Sequence, residues 1–552
     1  MATLTQLLRS LPRSELLQWS LLFLIVLLAV FGGVMDTMII GGHRNRSSDK
    51  ISKRVSLRPG ELPGYTGWGR PEKTLAGLFS LQSTSRAVPQ IGTEYVLTVR
   101  CGEIISDCGH EGNSLFFLRA YGPAVLSGIV RRNSRIAHTT ENSYEVVFVF
   151  YDPGLYTIEV VLTVSNPPAW GAFPLHDEHQ APPYEGYSLA DFPLLVTVPE
   201  PTTTTQLRPS SSSRQHPGTT KYTPDNACGI PDLMESSPNS ALAKGRWVVT
   251  SKVNSKEYVS TTLQSNEVTH IGYATNVNSL GIQMEYTYNS KCRLLPETSF
   301  HTERDDQRFF SQCPETIHIV YIGDSVLRIQ METLQQFLEG SASVRFHFLS
   351  LHGGYRRNQI LGPANIEAFL RDVQHQAAPK DRIVLLFNTG LHDIHRLCGT
   401  EFAADRLDYL PSEPLTAGTF TCVDEYRTVL RDFFRTIQEF PAHLKVFQST
   451  TAAWPKYGNY GIGWAPQPER MPLVSDFSAL FNEIAFEVLA EHSTTTEDTT
   501  ITVMDGYWIT YPRPDNREIG DIGNKLSHPG MEVLSVMTRK WAMLISDTAC
   551  HP

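Results

Sequence analysis

IHIVYIGDSVLRIQMETLQQFL, residues 317–338, passes from a strand through a tight turn into a helix. Ile317 to Ile322 is a short apolar run, Gly323-Asp324-Ser325 is a turn, and Val326 to Leu338 has helical spacing. The same grammar repeats downstream. Val344 to Leu349 reads as a second strand and Ile383 to Phe387 as a third. A helix over Val423–Phe440 leads to a fourth strand, Leu444 to Gln448. A helix over Asp476–Glu491 leads to a fifth, Thr500 to Met504, and a last helix covers Met531–Ile545. Strands alternating with helices predict an α/β fold, a parallel sheet with helices on both faces. In such sheets reactive groups collect at the carboxyl ends of the strands.

Outward from this region, composition sets limits. The chain has 552 residues, more than one domain of ~100–200 residues holds. Hydrophobic residues make up 41% and charged residues 19%, enough apolar surface to bury a core. With 57 acidic against 47 basic residues the formal net charge is -10, which argues against a nucleic-acid partner. The eight cysteines are too few for a small disulfide scaffold.

Leu16 to Met35 carries no charged residue and is long enough to cross a bilayer as a helix. Arg9 and Arg13 precede it, and Trp19 lies where an interfacial aromatic belongs. It is read as an uncleaved anchor over residues 16–40, following a cytosolic tail over 1–15. A cleaved signal peptide is the alternative. Arg44, Arg46, Lys50, Lys53 and Arg54 follow the span and, by the positive-inside rule, would hold the rest in the cytosol. Against this, every cysteine lies after the span, as do a Thr/Ser/Pro stretch and the glycosylation sequon Asn45-Arg46-Ser47. The expectation is therefore a single-pass type II protein with its large part in the lumen.

Residues 41–72 read as a stalk. From 73 to 198 apolar residues alternate with period two, as in Tyr144, Val146, Phe148 and Phe150, and again in Tyr156, Ile158, Val160, Leu162 and Val164. Asp152-Pro153-Gly154 between these runs is a turn signal, and the whole reads as a β-sandwich. Asp152-Pro153-Gly154-Leu155-Tyr156 resembles the tyrosine corner of immunoglobulin-like domains, with Ile158 where their second cysteine stands. Residues 199–226 are a linker containing Thr202 to Thr205 and Ser210 to Ser213. The α/β part is expected over 227–552. Cys398 and Cys422 flank a long loop and are the expected bridge; Cys101 and Cys108 are placed for local pairing.

Chemistry-bearing residues follow the strands. Gly323-Asp324-Ser325 comes after the first, Gly353-Gly354 after the second, and Asn388-Thr389-Gly390-Leu391-His392-Asp393 after the third. Asp505, Asp515, Asp521 and His528 come after the fifth. A serine nucleophile needs a base in hydrogen-bond reach, and histidine suits neutral pH. The N–H groups of Ser325 and of Gly353 or Gly354, with the Asn388 amide, are candidate oxyanion donors. His392-Asp393 with His395 has ligand-type residues, but the short spacing favours a structural loop, and no metal is expected. Trp454, Tyr457, Tyr460 and Trp464 occupy a Gly/Pro-broken loop after the fourth strand, either an acceptor platform for sugar rings or a local apolar cluster.

The order Ser, Gly, Asn, His, each at a strand end, resembles the SGNH (GDSL-like) hydrolases, whose sheet is flavodoxin-like. Gly323-Asp324-Ser325 with Arg328, Gln330, Glu332, Thr333 and Leu334 is similar to the GDS block of PC-esterase domains. Phe387-Asn388-Thr389-Gly390 with His392, and Arg513-Pro514-Asp515 with Ser527-His528-Pro529-Gly530, resemble two further blocks. Gly245-Arg246-Trp247 and Cys292 fit the lead-in of such domains. With the sandwich and anchor ahead of it, the chain resembles the NXPE (neurexophilin and PC-esterase) family. One departure stands out: these domains commonly carry Asp three residues before the His, and here that residue is Lys525. The orienting acid is then another residue, with Asp515 ranked above Asp505, or a Ser–His dyad acts alone, or the site is inactive.

The resemblance implies a glycan O-acetyltransferase or acetylesterase of Golgi or other secretory-pathway membranes, with Ser325 as nucleophile and His528 as base. Arg328, Trp454, Tyr457 and Trp464 are the candidate substrate-binding residues. No bound cofactor is expected; the acyl donor is a co-substrate of the acetyl-CoA type, delivered through a separate supplier because one span cannot itself carry acetyl groups across. Glycans or glycoproteins are the expected acceptors. The rival reading is a non-catalytic surface or secreted adhesion protein with a degenerate SGNH domain.

Overall fold

The computed structural model describes residues 55–59, 61, 79–84, 88–101, 114–131, 143–164, 187–200, 227–234, 244–252, 274–275, 282–290, 292–295, 313, 315–338, 343–351, 354–356, 361–394, 422–452, 474–493, 501–516, 518–519 and 528–550. The expected anchor, stalk and linker lie outside these residues, apart from a few stalk positions and residues 199–200 of the linker. No described helix is long and apolar enough to cross a membrane.

The N-terminal strands are β1 (Phe79–Thr84), β2 (Glu94–Cys101), β3 (Leu115–Tyr121), β4 (Ala124–Ser127), β5 (Ile129–Arg131), β6 (Ser143–Val149), β7 (Gly154–Val164), β8 (Tyr187–Ser188) and β9 (Leu194–Val198). One antiparallel sheet has the order β1-β2-β6-β5. It faces a second sheet containing β3, β4 and β7, and the inward residues of both form one core. Tyr144, Val146, Phe148 and Phe150, with Tyr156, Ile158, Val160 and Leu162, all lie in that core, as their period-two spacing requires. The turn before β7 needs glycine: Gly154 has φ +142, and a Cβ there would meet Pro123 Cγ at 2.6 Å.

After the linker come β10 (Gly245–Lys252), β11 (Ala274–Thr275) and β12 (Ile282–Tyr288). Then β13 (Ile317–Gly323) leads into α1 (Ser325–Phe337), followed by β14 (Val344–Ser350), α2 (Pro363–Gln376), β15 (Arg382–Phe387), α3 (Cys422–Gln438), β16 (Leu444–Gln448), α4 (Val474–Ser493), β17 (Thr502–Met504), β18 (Glu518–Ile519) and α5 (Met531–Ile545). The five expected strands form one parallel sheet in the order β14-β13-β15-β16-β17. Strand order reverses between β13 and β15, the position beyond whose carboxyl ends open α/β sheets bind their ligands. Alternate residues serve opposite faces. Ile317, Ile319, Tyr321, Val384 and Leu386 pack with α1 and α5, while Val320, Ile322, Ile383, Leu385 and Phe387 pack with α2, α3 and α4. Helix α2 was not expected from the sequence; only Ile366, Leu370 and Val373 of its residues are buried apolar, too thin a stripe to stand out.

The strands after the linker complete the sandwich's own sheet. β10 pairs with β12 and also with β4, through Trp247↔Val125 and Val248↔Ala124, in the order β12-β10-β4-β3-β7-β8. Residue 227 is therefore not a hydrogen-bonding boundary, and residues 54–552 form one compact unit. β3 is buried along its whole length because its second face, through Leu115 and Phe117, packs on the α/β body. Tyr511 bonds back to β3, its hydroxyl accepting from Leu118 N at 3.1 Å and donating to Phe116 O at 3.3 Å.

Two disulfides are described, Cys228–Cys292 and Cys313–Cys550, and Cys101 is also disulfide-bonded. They mark an oxidising, secretory-type environment. The expected Cys398–Cys422 bridge lies outside the described residues, since Cys398 and the Cys422 side chain are not among them.

Candidate active site

Ser325 is the first residue of α1, directly beyond β13. Asp324 caps the helix, its carboxylate accepting from Val326 N at 2.9 Å, so the turn holding the serine is fixed from its own side chains. Being first in the helix, Ser325 has an N–H ahead of any intrahelical acceptor. Its half-buried Oγ lies 2.6 Å from Nε2 of His528, a residue 203 positions later and buried. The two come together because α1 and α5 share one core beside the sheet, and His528 lies three residues before the first residue of α5.

The other expected residues have these places. Asn388 follows β15, and Ile322 of β13 pairs with Phe387, so the amide lies beside the serine strand. Its Nδ2 donates to Gln448 O at 2.7 Å and reaches Thr450 Oγ1 at 3.4 Å. Gly390, two residues on, packs so closely that a Cβ would stand 2.0 Å from Thr450 Oγ1. Gly354 has φ +81, and its N–H donates to Leu351 O at 2.8 Å within the turn. Asp505 accepts from Trp508 N at 2.9 Å, two residues ahead of the single helical turn Tyr507–Thr510. Asp515 is held by Arg513 at 3.0 Å and faces Arg119 at 3.8 Å. Arg328 stands one turn after Ser325; it holds down a Glu332 carboxyl that burial pushes above its usual range. Thr389 bonds to Asp393 inside the loop after β15. Gly353, Trp454, Tyr457, Tyr460, Trp464, Asp521, Lys525 and Asn45 lie outside the described residues.

Sequence reading singled out the Arg513-Pro514-Asp515 block but not the wider ion cluster that it joins beneath the His528 segment. Arg513 is fully buried, bonds Glu532 at 2.6 Å as well as Asp515, and lies 4.6 Å over the Trp247 ring. Burial pushes its pKa down, but the two carboxylates outweigh this and hold it above the ordinary arginine value. Arg119 of β3 is also fully buried, 2.7 Å from Glu159. A signal existed: Arg119 is the one charge in the apolar run Leu115–Tyr121, and a buried guanidinium demands a carboxylate partner. Among the described residues no group of three or more His, Cys, Asp or Glu side chains could hold a metal.

No family model matches the chain, and no curated protein matches it. Among solved structures it is similar to the filamin domain of Lin-41, at 10% identity over 22% of this chain and 94% of that one, with a TM-score of 0.15.

Proposed function

We propose that the chain is a membrane-anchored glycan O-acetyltransferase or acetylesterase of the secretory pathway, with an SGNH-type domain of the NXPE kind and a Ser–His acyl-enzyme mechanism. The observation that carries this is the 2.6 Å contact between Ser325 Oγ and His528 Nε2 at the carboxyl end of a parallel sheet, beside its order reversal. A chance surface pair would not combine a helix N-terminus, a buried imidazole and that switch in strand order.

In the first half-reaction the Ser325 hydroxyl gives its proton to His528 Nε2 as Oγ bonds to the acyl carbon of the donor. The tetrahedral oxyanion takes the Ser325 N–H and the Asn388 N–H that reaches Thr450 only at 3.4 Å. Collapse expels the donor's leaving group, which takes the proton from His528. In the second half-reaction an acceptor hydroxyl gives its proton to His528 and attacks the acyl-enzyme; the new ester leaves as Oγ regains the proton. A sugar hydroxyl makes the enzyme a transferase and water makes it an esterase, and the family resemblance favours transfer. The donor is a co-substrate of the acetyl-CoA type from a separate supplier. The disulfides support a lumenal site, and Golgi membranes are the proposed location.

The test uses the full chain, because β10 hydrogen-bonds to β4 across the linker. Turnover of an activated acetyl ester is measured for the wild type, Ser325→Ala and His528→Ala. Losing either member of such a unit should cost about 10⁴-fold or more with the fold intact. Wild-type turnover in Ser325→Ala would sink the reading and leave a binding protein.

A further inference from the structure

We infer that the β-sandwich sheet holds the catalytic histidine in place, with Arg119 and Glu532 as positioning residues that act through Asp515, Arg513 and Asn516. This rests on the Ser325–His528 reading above. The segment carrying His528 is cradled by Asn516: Gly530 N donates to Asn516 O at 2.9 Å, and Val533 N donates to its Oδ1 at 3.2 Å. Asn516 is the neighbour of Asp515, whose carboxylate stands between two fully buried guanidiniums, Arg513 and Arg119. Arg119 belongs to β3, so one anchor of this seat comes from the sandwich. The second anchor is Glu532, four residues beyond His528. Its Oε2 accepts from Arg513 at 2.6 Å and from Asn516 Nδ2 at 3.4 Å, and its Oε1 accepts from Met284 N of β12 at 2.8 Å.

Both anchors thus reach the seven-stranded sheet. A base must be held to within about 0.5 Å for proton transfer, which requires supports that are themselves locked. Buried ion pairs provide this, because breaking one strands a charge out of water. The serine is set by the parallel sheet and the histidine by the sandwich sheet, so the Ser–His distance depends on the register of one sheet against the other.

The test measures fluorophosphonate labelling of Ser325 in the full chain, separating kinact from KI. It needs no knowledge of the natural acceptor. Arg119→Gln and Glu532→Gln should each lower kinact by about tenfold or more with KI unchanged, and Arg119→Lys should restore much of the loss. Arg246→Gln is the comparison: Arg246 ties β10 to Asp152 of the sandwich at 2.5 Å but does not touch the Asp515 seat, so its kinact should stay at the wild-type value. Wild-type kinact in Arg119→Gln and Glu532→Gln, or an equal loss in Arg246→Gln, overturns the positioning role while Ser325 remains a nucleophile. A wild-type chain labelled no more than Ser325→Ala overturns the catalytic reading itself, and the positioning role with it.

Discussion

Trp247→Ala should loosen the sandwich and the α/β body together. The Trp247 ring is fully buried, packs edge-on against Tyr286 at 5.4 Å, carries Arg513 over its face at 4.6 Å, and donates from Nε1 to Ile509 O at 3.0 Å. Its backbone pairs with Val125 of β4 on one side and Tyr286 of β12 on the other. Truncating a buried tryptophan costs ~3–5 kcal/mol in transfer and cavity energy. Loss of a desolvated cation–π partner adds ~1–2 kcal/mol. Against a typical stability of ~5–15 kcal/mol, that is a large share of what holds the molecule folded. A chain of this size is not expected to melt in two states, so hydrogen exchange resolved by segment is the suitable assay. Protection should fall in β3 and β7 of the sandwich and in the 507–516 segment alike. Unchanged protection in β3 and β7, or a loss under ~1 kcal/mol everywhere, would show that the sheet does not couple the two parts.

Three further outcomes are expected. Cleaving the Pro201–Pro224 linker should leave two fragments that still migrate together under native conditions, because β10 remains paired with β4; separation in gel filtration would contradict that pairing. Burial, with His318 and Arg345 beside it, lowers the His347 pKa from 6.5 to about 4, so stability should be full above pH 6.5 and decline toward pH 4 as only the unfolded chain takes the proton; at ~1.4 kcal/mol per pH unit and with its partial exposure the loss is ~1–2 kcal/mol, and His347→Gln should flatten that acid limb in urea titrations. Opening the Cys313–Cys550 disulfide with Cys313→Ser/Cys550→Ser should cost ~2–5 kcal/mol, since it closes a loop of 237 residues; an unchanged urea midpoint would exclude it.

The centre of the parallel sheet was legible because β13 and β15 are buried on both faces and so appear as short, largely apolar runs, Ile317–Ile322 and Ile383–Phe387. The sandwich was legible for the opposite reason, a clean period of two in β6 and β7. Neither signal says which strand pairs with which, and so the start of β10, Gly245-Arg246-Trp247, was read only as a lead-in to the α/β part and β12 was not expected. Gly245-Arg246-Trp247 carries no mark of a β4 partner more than a hundred residues earlier. Ser325 was expected at a strand end and His528 only among several residues after the fifth strand; the structure brings the two side chains together. The work given to Asp515 was not, because the pairing of Arg119 with the Arg-Pro-Asp block crosses the same unpredicted sheet contact.

The serine and the histidine belong to opposite ends of the α/β chain, and the fold joins those ends more than once. β13 leads into Ser325 and α1; His528 leads into α5. α1 and α5 share a core, with Gln330 Nε2 donating to Met537 O at 3.3 Å, so the helices that follow the two residues are fixed side by side. Cys313 lies just before β13 and Cys550 just after α5, and their bridge closes the same pair of elements from the far side. The α1–α5 pair therefore sets the general approach of Ser325 and His528, by packing and by a covalent tie. What the helices leave free is the turn before α5, residues 528–530, and that is where Asn516, Asp515 and the two arginines act. Coarse placement comes from the α/β core and fine placement from the sandwich sheet. On this division of labour, changes in the core should act mainly on stability, while changes in the ion cluster should act on the rate of the chemical step.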